Sequence, residues 1–156
     1  MNWPNAAEKL PHEIILGRPD PIAVGTRRQR RRNARVADLG VKTMITELDV
    51  DELPARAIPQ NADVSLRLAA DPKLNPHPNG LPASVSEQLA QRYADLFAVY
   101  LKHTGTLKRV IFWGVTDGHS WLNNWPIPGR TAYPLLFDRQ GQPKECYRRV
   151  IDSVRK

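Results

Sequence analysis

Two short β-type runs separated by one strongly periodic helical segment constrain this chain more than any other feature. In the first run, residues 41–50, Val41, Met44 and Ile45 stand with β-branched Thr43 and Thr46 behind the breaker Gly40. The apolar positions do not alternate, which predicts a strand covered on both faces, as in a parallel sheet flanked by helices. Further on, Ser84 and Glu87 have the spacing of a capping box. Behind them Val85, Leu89, Tyr93, Leu96, Phe97 and Tyr100 recur at three-to-four spacing, predicting an amphipathic helix that stops near His103. The second run, Arg109-Val110-Ile111-Phe112-Trp113-Gly114, ends at a glycine. Glu47 and Asp49 stand at the end of the first run; Thr116, Asp117, His119, Ser120, Trp121 and Asn123 crowd the loop behind the second. Parallel strands carry chemistry at their carboxyl ends. A polar strand end that merely meets water is the alternative reading of the same residues.

Residues 1–26, punctuated by Pro4, Pro11, Pro19 and Pro21, show no sustained period and read as an irregular lead-in. Helix is predicted from Thr26 to Leu39, with Val36 and Leu39 inward and Gly40 as its stop. A long loop rich in Pro, Asn and Asp follows from Asp51 to Pro82; His77 within it reads as a surface residue, since no second metal ligand stands at a suitable spacing. The chain closes with Tyr133-Pro134-Leu135-Leu136-Phe137-Asp138 and a last helix started by Pro143. The predicted inner face of that helix is Cys146, Tyr147, Val150, Ile151 and Val154, with Cys146 a small buried apolar residue rather than a nucleophile. The order helix, strand, helix, strand, helix is that of αβ units on a parallel sheet. A closed (β/α)-barrel needs eight such units and at least about 200 residues. The 156 residues therefore predict either a small open α/β protein or part of a larger one.

No apolar run approaches a membrane span, and the start, Met1-Asn2-Trp3-Pro4, has no basic region leading into an apolar core, so neither membrane nor signal peptide is expected. Cys146 is the sole cysteine, which excludes an internal disulfide and any multi-cysteine metal site and leaves the compartment open. Of the net charge of +7, residues 1–35 contribute +5, mostly from the run between Arg27 and Arg35. Such a run could hold phosphates, yet no nucleic-acid module or interleaved aromatic accompanies it, so a solvated face is the expected reading.

Three linked motifs carry a resemblance: Ile45-Thr46-Glu47-Leu48-Asp49-Val50; then Phe112-Trp113-Gly114-Val115-Thr116-Asp117 with Ser120-Trp121-Leu122; then Tyr133 to Asp138 with Pro143-Lys144. In order and separation they resemble the C-terminal portion of glycoside hydrolase family 10, the endo-1,4-β-xylanases, over residues 36–156. The resemblance implies an α/β fold that is part of a (β/α)8 TIM barrel, its last two to three βα units, with the strands at Glu47 and Trp113 as the seventh and eighth. Residues 34–156 then form this part of the barrel, and residues 1–33 an unmatched, arginine-rich lead-in. Glu47 matches the family's catalytic nucleophile, and Trp113 and Trp121 match two tryptophans that wall the sugar site. Core packing is the alternative for Trp113. Asn123 and Arg130 are expected to line the glycone side, and His119 to face solvent. Asp49 lies about 6–7 Å further along than Glu47; it is expected to support the site by hydrogen-bonding neighbouring loops. No metal or redox cofactor is implied.

Departures from the family set the expectation for activity. Its acid/base glutamate follows an asparagine on the fourth strand, and no Asn-Glu dipeptide occurs in this sequence. A histidine usual on the sixth strand is also missing from the corresponding Leu16-Gly17-Arg18-Pro19-Asp20. The resemblance thus implies retaining hydrolysis of xylan or xylo-oligosaccharides, while residues 1–156 alone are expected to be inactive. Self-association through uncovered strand edges is expected as well. Two rivals stand beside this reading: a carbohydrate-binding remnant using Trp113 and Trp121, and a basic nucleic-acid-binding protein using Arg27 to Arg35.

Overall fold

A computed structural model describes residues 42–53, 71–125 and 127–155. The helix expected between Thr26 and Leu39, the lead-in, the arginine run and the middle of the long loop lie outside the described residues. The element order is β1 (Thr43–Leu48), α1 (Ala83–Leu101), β2 (Leu107–Phe112), two 3-10 turns (Asp117–His119 and Trp121–Asn123) and α2 (Glu145–Val154). β1 and β2 pair in parallel, with Thr43 opposite Leu107, Ile45 opposite Val110 and Leu48 opposite Phe112. A parallel pair cannot be joined by a tight turn, so the crossover through α1 follows from the pairing.

The register of β1 against β2 is irregular between Ile45 and Leu48. Ile45 and Leu48, an odd number of residues apart, are both fully buried in one apolar cluster, whereas Met44 on β1 and Ile111 on β2 are 46% and 40% exposed. The covered face meets Leu89, Tyr93, Leu96, Phe97 and Tyr100 of α1 and Cys146 and Val150 of α2. Phe112 stacks on Phe97 at 6.3 Å between ring centroids.

α1 forms where the apolar period and the lack of internal Gly or Pro predict it, but the expected capping box does not form. Pro82, at φ −59°, is the N-cap, and no side chain caps the helix. Glu87 instead pairs with Arg149 of α2. α2 begins at Glu145 behind an N-cap at Lys144 rather than at Pro143. Its inner face is narrower than expected: Cys146 and Val150 are buried, Tyr147 and Ile151 are half-buried, and Val154 in the last turn is exposed. Burial pushes the Cys146 thiol up to about 11, in keeping with an inert packing residue. β2 ends two residues before Gly114, whose φ of +136° few other residues adopt. No helix among the described residues is long and apolar enough to cross a membrane.

Candidate active site

The loops behind the two strands meet at the carboxyl end of the sheet. Glu47, the penultimate residue of β1, is half-buried, and its carboxylate makes no hydrogen bond or ion pair among the described residues. Trp113 is fastened beside it: its backbone N–H donates to the Leu48 carbonyl at 3.0 Å, extending the ladder past β2. Trp113 is 48% exposed. Trp121, 41% exposed, donates its indole N–H to Asp49 Oδ2 at 2.7 Å. This bond ties Asp49 to the loop behind β2. Burial lifts its pKa to about 6 against the opposing pull of the Trp121 N–H, and the charges of Asp51 and Glu47 add to the rise.

Two expected sugar contacts are placed otherwise. The Asn123 amide is fully engaged inside the protein: Nδ2 donates to the carbonyls of Asp117 and Ser120 at 2.8 and 3.0 Å. Its Oδ1 accepts from Ala132 N and Arg139 Nη2 at 3.0 and 2.8 Å. A sugar hydroxyl could bind there only by displacing one of these partners. Arg130 has a fully covered side chain. Its guanidinium forks onto Asp51, with Nη1 to Oδ2 at 3.0 Å, and its Nη2 lies 2.9 Å from Glu52 Oε1. It fastens the loop behind β1 and has no surface left for a ligand. His119 is exposed, its Nδ1 2.9 Å from Thr116 Oγ1. His77 is half-buried rather than fully on the surface, and its carbonyl accepts the Tyr133 hydroxyl at 2.9 Å.

Two residues here carry more than the sequence reading gave them. Asp117 is fully buried; Oδ1 accepts the Leu135 N–H and Oδ2 the Lys144 ammonium, both at 2.8 Å. Lys144 also donates to the carbonyls of Tyr133 and Leu135 at 2.8 Å. Burial raises the Asp117 pKa although Lys144 opposes it. The second and third sequence motifs are thus one physical knot. Trp125, 55% exposed, lies one turn beyond Trp121, its N–H bonded to the Trp121 carbonyl at 3.0 Å. The four-residue spacing of Trp121 and Trp125 was the signal that could have found it.

Residues 24–153 match glycosyl hydrolase family 10. The chain belongs to this family. The matched span of family 10 takes in the arginine run between Arg27 and Arg35. Among similar proteins, endo-1,4-beta-xylanase A of Xylanibacter ruminicola is 42% identical over 112 residues, covering 72% of this chain and 30% of the relative. A family 10 endoxylanase retrieved from sugarcane soil metagenome superposes with a TM-score of 0.72 at 41% identity, covering 84% of this chain and 35% of the other. A mutant solved in complex with xylotriose gives a TM-score of 0.64 at 29% identity, covering 81% and 34% of the two chains. The chain spans about a third of the length of the relatives it matches. Family 10 membership implies a (β/α)8 barrel for the whole fold, and the described residues form an α/β part of it with a two-stranded sheet.

Proposed function

We propose that this family 10 chain supplies the nucleophile side of a retaining endo-1,4-β-xylanase acting on xylan or xylo-oligosaccharides. In this reading β1 and β2 are the seventh and eighth barrel strands, within the last two to three βα units. One observation carries it: the Glu47 carboxylate stands at a strand's carboxyl end with no partner among the described residues, next to the ladder position that fixes Trp113. An unengaged carboxylate can attack an anomeric carbon, whereas one held in an ion pair would first have to give up its partner. Glu47 Oε bonds to the carbon as the glycosidic oxygen leaves, and water later cleaves the ester with net retention. The exposed indoles of Trp113 and Trp121 offer flat faces to the C–H face of a sugar ring.

The departing oxygen needs a proton from a second carboxyl about 5–5.5 Å from the first. Asp49 is engaged by the Trp121 indole, and no Asn-Glu pair occurs in the sequence. No residue of the sequence matches the family's general acid, and without one a contribution of about 10²–10⁴-fold is missing. Purified residues 1–156 are expected to show no measurable turnover of xylan; sustained reducing-sugar release that disappears in Glu47→Ala would overturn this. The nucleophile itself is testable without the acid. A 2,4-dinitrophenyl 2-deoxy-2-fluoro-β-xylobioside has a leaving group that departs unprotonated, and its fluorine slows hydrolysis of the ester. Peptide mapping should find one fluoro-xylobiosyl ester on Glu47 and none in Glu47→Gln; a label on another carboxylate, or none at all, would reject the assignment.

A second reading, sugar binding without turnover, is favoured by the exposure of the indoles of Trp113, Trp121 and Trp125. It expects retention on insoluble xylan that is lost in Trp113→Ala or Trp121→Ala, with no ester formed on Glu47.

A further inference from the structure

We infer that Asp49 is a positioning residue for Trp121, its ionised carboxylate holding the indole in one orientation and its protonation loosening that hold. The proposal deepens the xylanase reading only in taking the Trp121 face as a sugar wall. Its physical core is independent of that reading.

An indole N–H is a donor with no acceptor beside it, so one well-placed oxygen defines the ring's rotation. The backbone of Trp121 is already fixed. The Ser120 hydroxyl accepts the Leu122 N–H at 3.2 Å, and Asn123 binds the carbonyls on either side of the first 3-10 turn. What remains free is the swing of a ring that is 41% exposed. The bond to Asp49 Oδ2 spans 72 residues and, at 2.7 Å, is at the short end for N–H···O, as expected of a charged acceptor. A protonated carboxyl still offers an oxygen, but a weaker one.

The surroundings of Asp49 hold it near the point where protonation matters. No cation pairs with it among the described residues: Arg130 is bound to Asp51 and Glu52, and Lys144 to Asp117. The charged groups that act on it are Glu47 on β1 and Asp51 in the loop behind, both anionic; Tyr93 of α1 also interacts with it and, being buried, stays neutral. Burial and these two charges raise its pKa to about 6, so the ring is held firmly above that pH and less firmly below it. A corollary follows for the reaction. When Glu47 becomes a glycosyl ester it loses its charge, one source of the rise disappears, and Asp49 ionises more readily. The wall would then tighten as the covalent intermediate forms.

The test uses the full chain with 15N-labelled indoles, the Trp121 Nε1–H resonance being identified by its absence in Trp121→Phe. The resonance should lie well downfield at about pH 8 and move upfield with a single midpoint near 6 as the pH falls. In Asp49→Asn, whose amide oxygen still accepts, it should not titrate. In Asp49→Ala it should sit upfield at every pH, and in Glu47→Gln the midpoint should drop. A Trp121 resonance that stays still across this range, or that titrates unchanged in Asp49→Asn, overturns the proposal. Adding xylohexaose separates the two readings. Binding in the wild type should weaken roughly fivefold below the midpoint, while Asp49→Asn shows no such pH dependence. If the indole titrates through Asp49 yet no xylohexaose reaches it at any pH, the xylanase reading fails and the positioning role stands.

Discussion

Replacing Arg130 with glutamine tests whether that residue holds the frame or touches the sugar. Its side chain is wholly covered, and its partners are nearly so, with 8% of the Asp51 side chain and 2% of the Glu52 side chain exposed. One guanidinium answers two carboxylates, so Arg130→Gln leaves both with an amide at most. Removing one member of a buried ion pair costs about 3–5 kcal/mol. Arg130 Nε is itself buried without a hydrogen-bond partner, so the wild-type pairing is imperfect and the lower end, about 3 kcal/mol, is the better expectation. Against a domain stability of about 5–15 kcal/mol this is readily measured by equilibrium urea unfolding followed by circular dichroism. The pH dependence carries a sign. Burial already raises the Glu52 pKa, with Arg130 opposing; without the arginine it rises further, so the variant takes up a proton that the wild type does not. The deficit should be largest at high pH and shrink as the pH falls, since a protonated Glu52 needs no cation. A loss below about 1 kcal/mol at pH 8, coupled with lost retention on xylan, would refute the structural role and return Arg130 to the glycone side.

Two further substitutions probe the same frame. Gly114→Ala should destabilise by about 1–3 kcal/mol in thermal unfolding, because a Cβ there would lie 2.8 Å from Leu135 Cδ1 on a backbone at φ +136°; no change would mean that Leu135 turns aside freely. Tyr100→Phe should be neutral or gain up to about 1 kcal/mol, since the Tyr100 hydroxyl is buried with no hydrogen-bond partner; a loss larger than that would reveal a partner for it.

What the sequence made legible was whatever depends on nearest neighbours along the chain. The α1 period predicted its buried face because Leu89, Tyr93, Leu96, Phe97 and Tyr100 need only helical geometry to share a side. The cap failed because Ser84 and Glu87 compete with partners that no local pattern contains: Pro82 takes the N-cap, and Arg149, 62 residues away, takes Glu87. The ties of Arg130 were hidden for the same reason, its carboxylates lying 78 and 79 residues back in the chain. Glu47, Trp113 and Trp121 came from the motif resemblance and not from periodicity, and the structure brings all three to one strand end through the Trp113–Leu48 and Trp121–Asp49 bonds.

The carboxyl end of the sheet adds buried charge pairs to the apolar packing that holds the body beneath it. Below, rings and aliphatic chains from both strands and both helices exclude water together. Above, the loops bury Leu53, Leu122, Ile127 and Leu135 as well, and buried charges add fastening: Arg130 draws the loop behind β1 toward residues 127–133, and Asp117 with Lys144 ties the loop behind β2 to residues 133–135 and the start of α2. Such fastening is directional where apolar packing is not, and it sets the Trp121 indole relative to Glu47 through specific bonds. It also sharpens the choice of nucleophile. Of the four carboxylates between 47 and 52, Asp49 takes the indole N–H, Asp51 the guanidinium fork, and Glu52 the same guanidinium and the Tyr133 N–H. Among the described residues, Glu47 alone of these is left without a donor. Among the described residues that asymmetry supports the proposal that Glu47 is the nucleophile, since its carboxylate gives up no partner on attack.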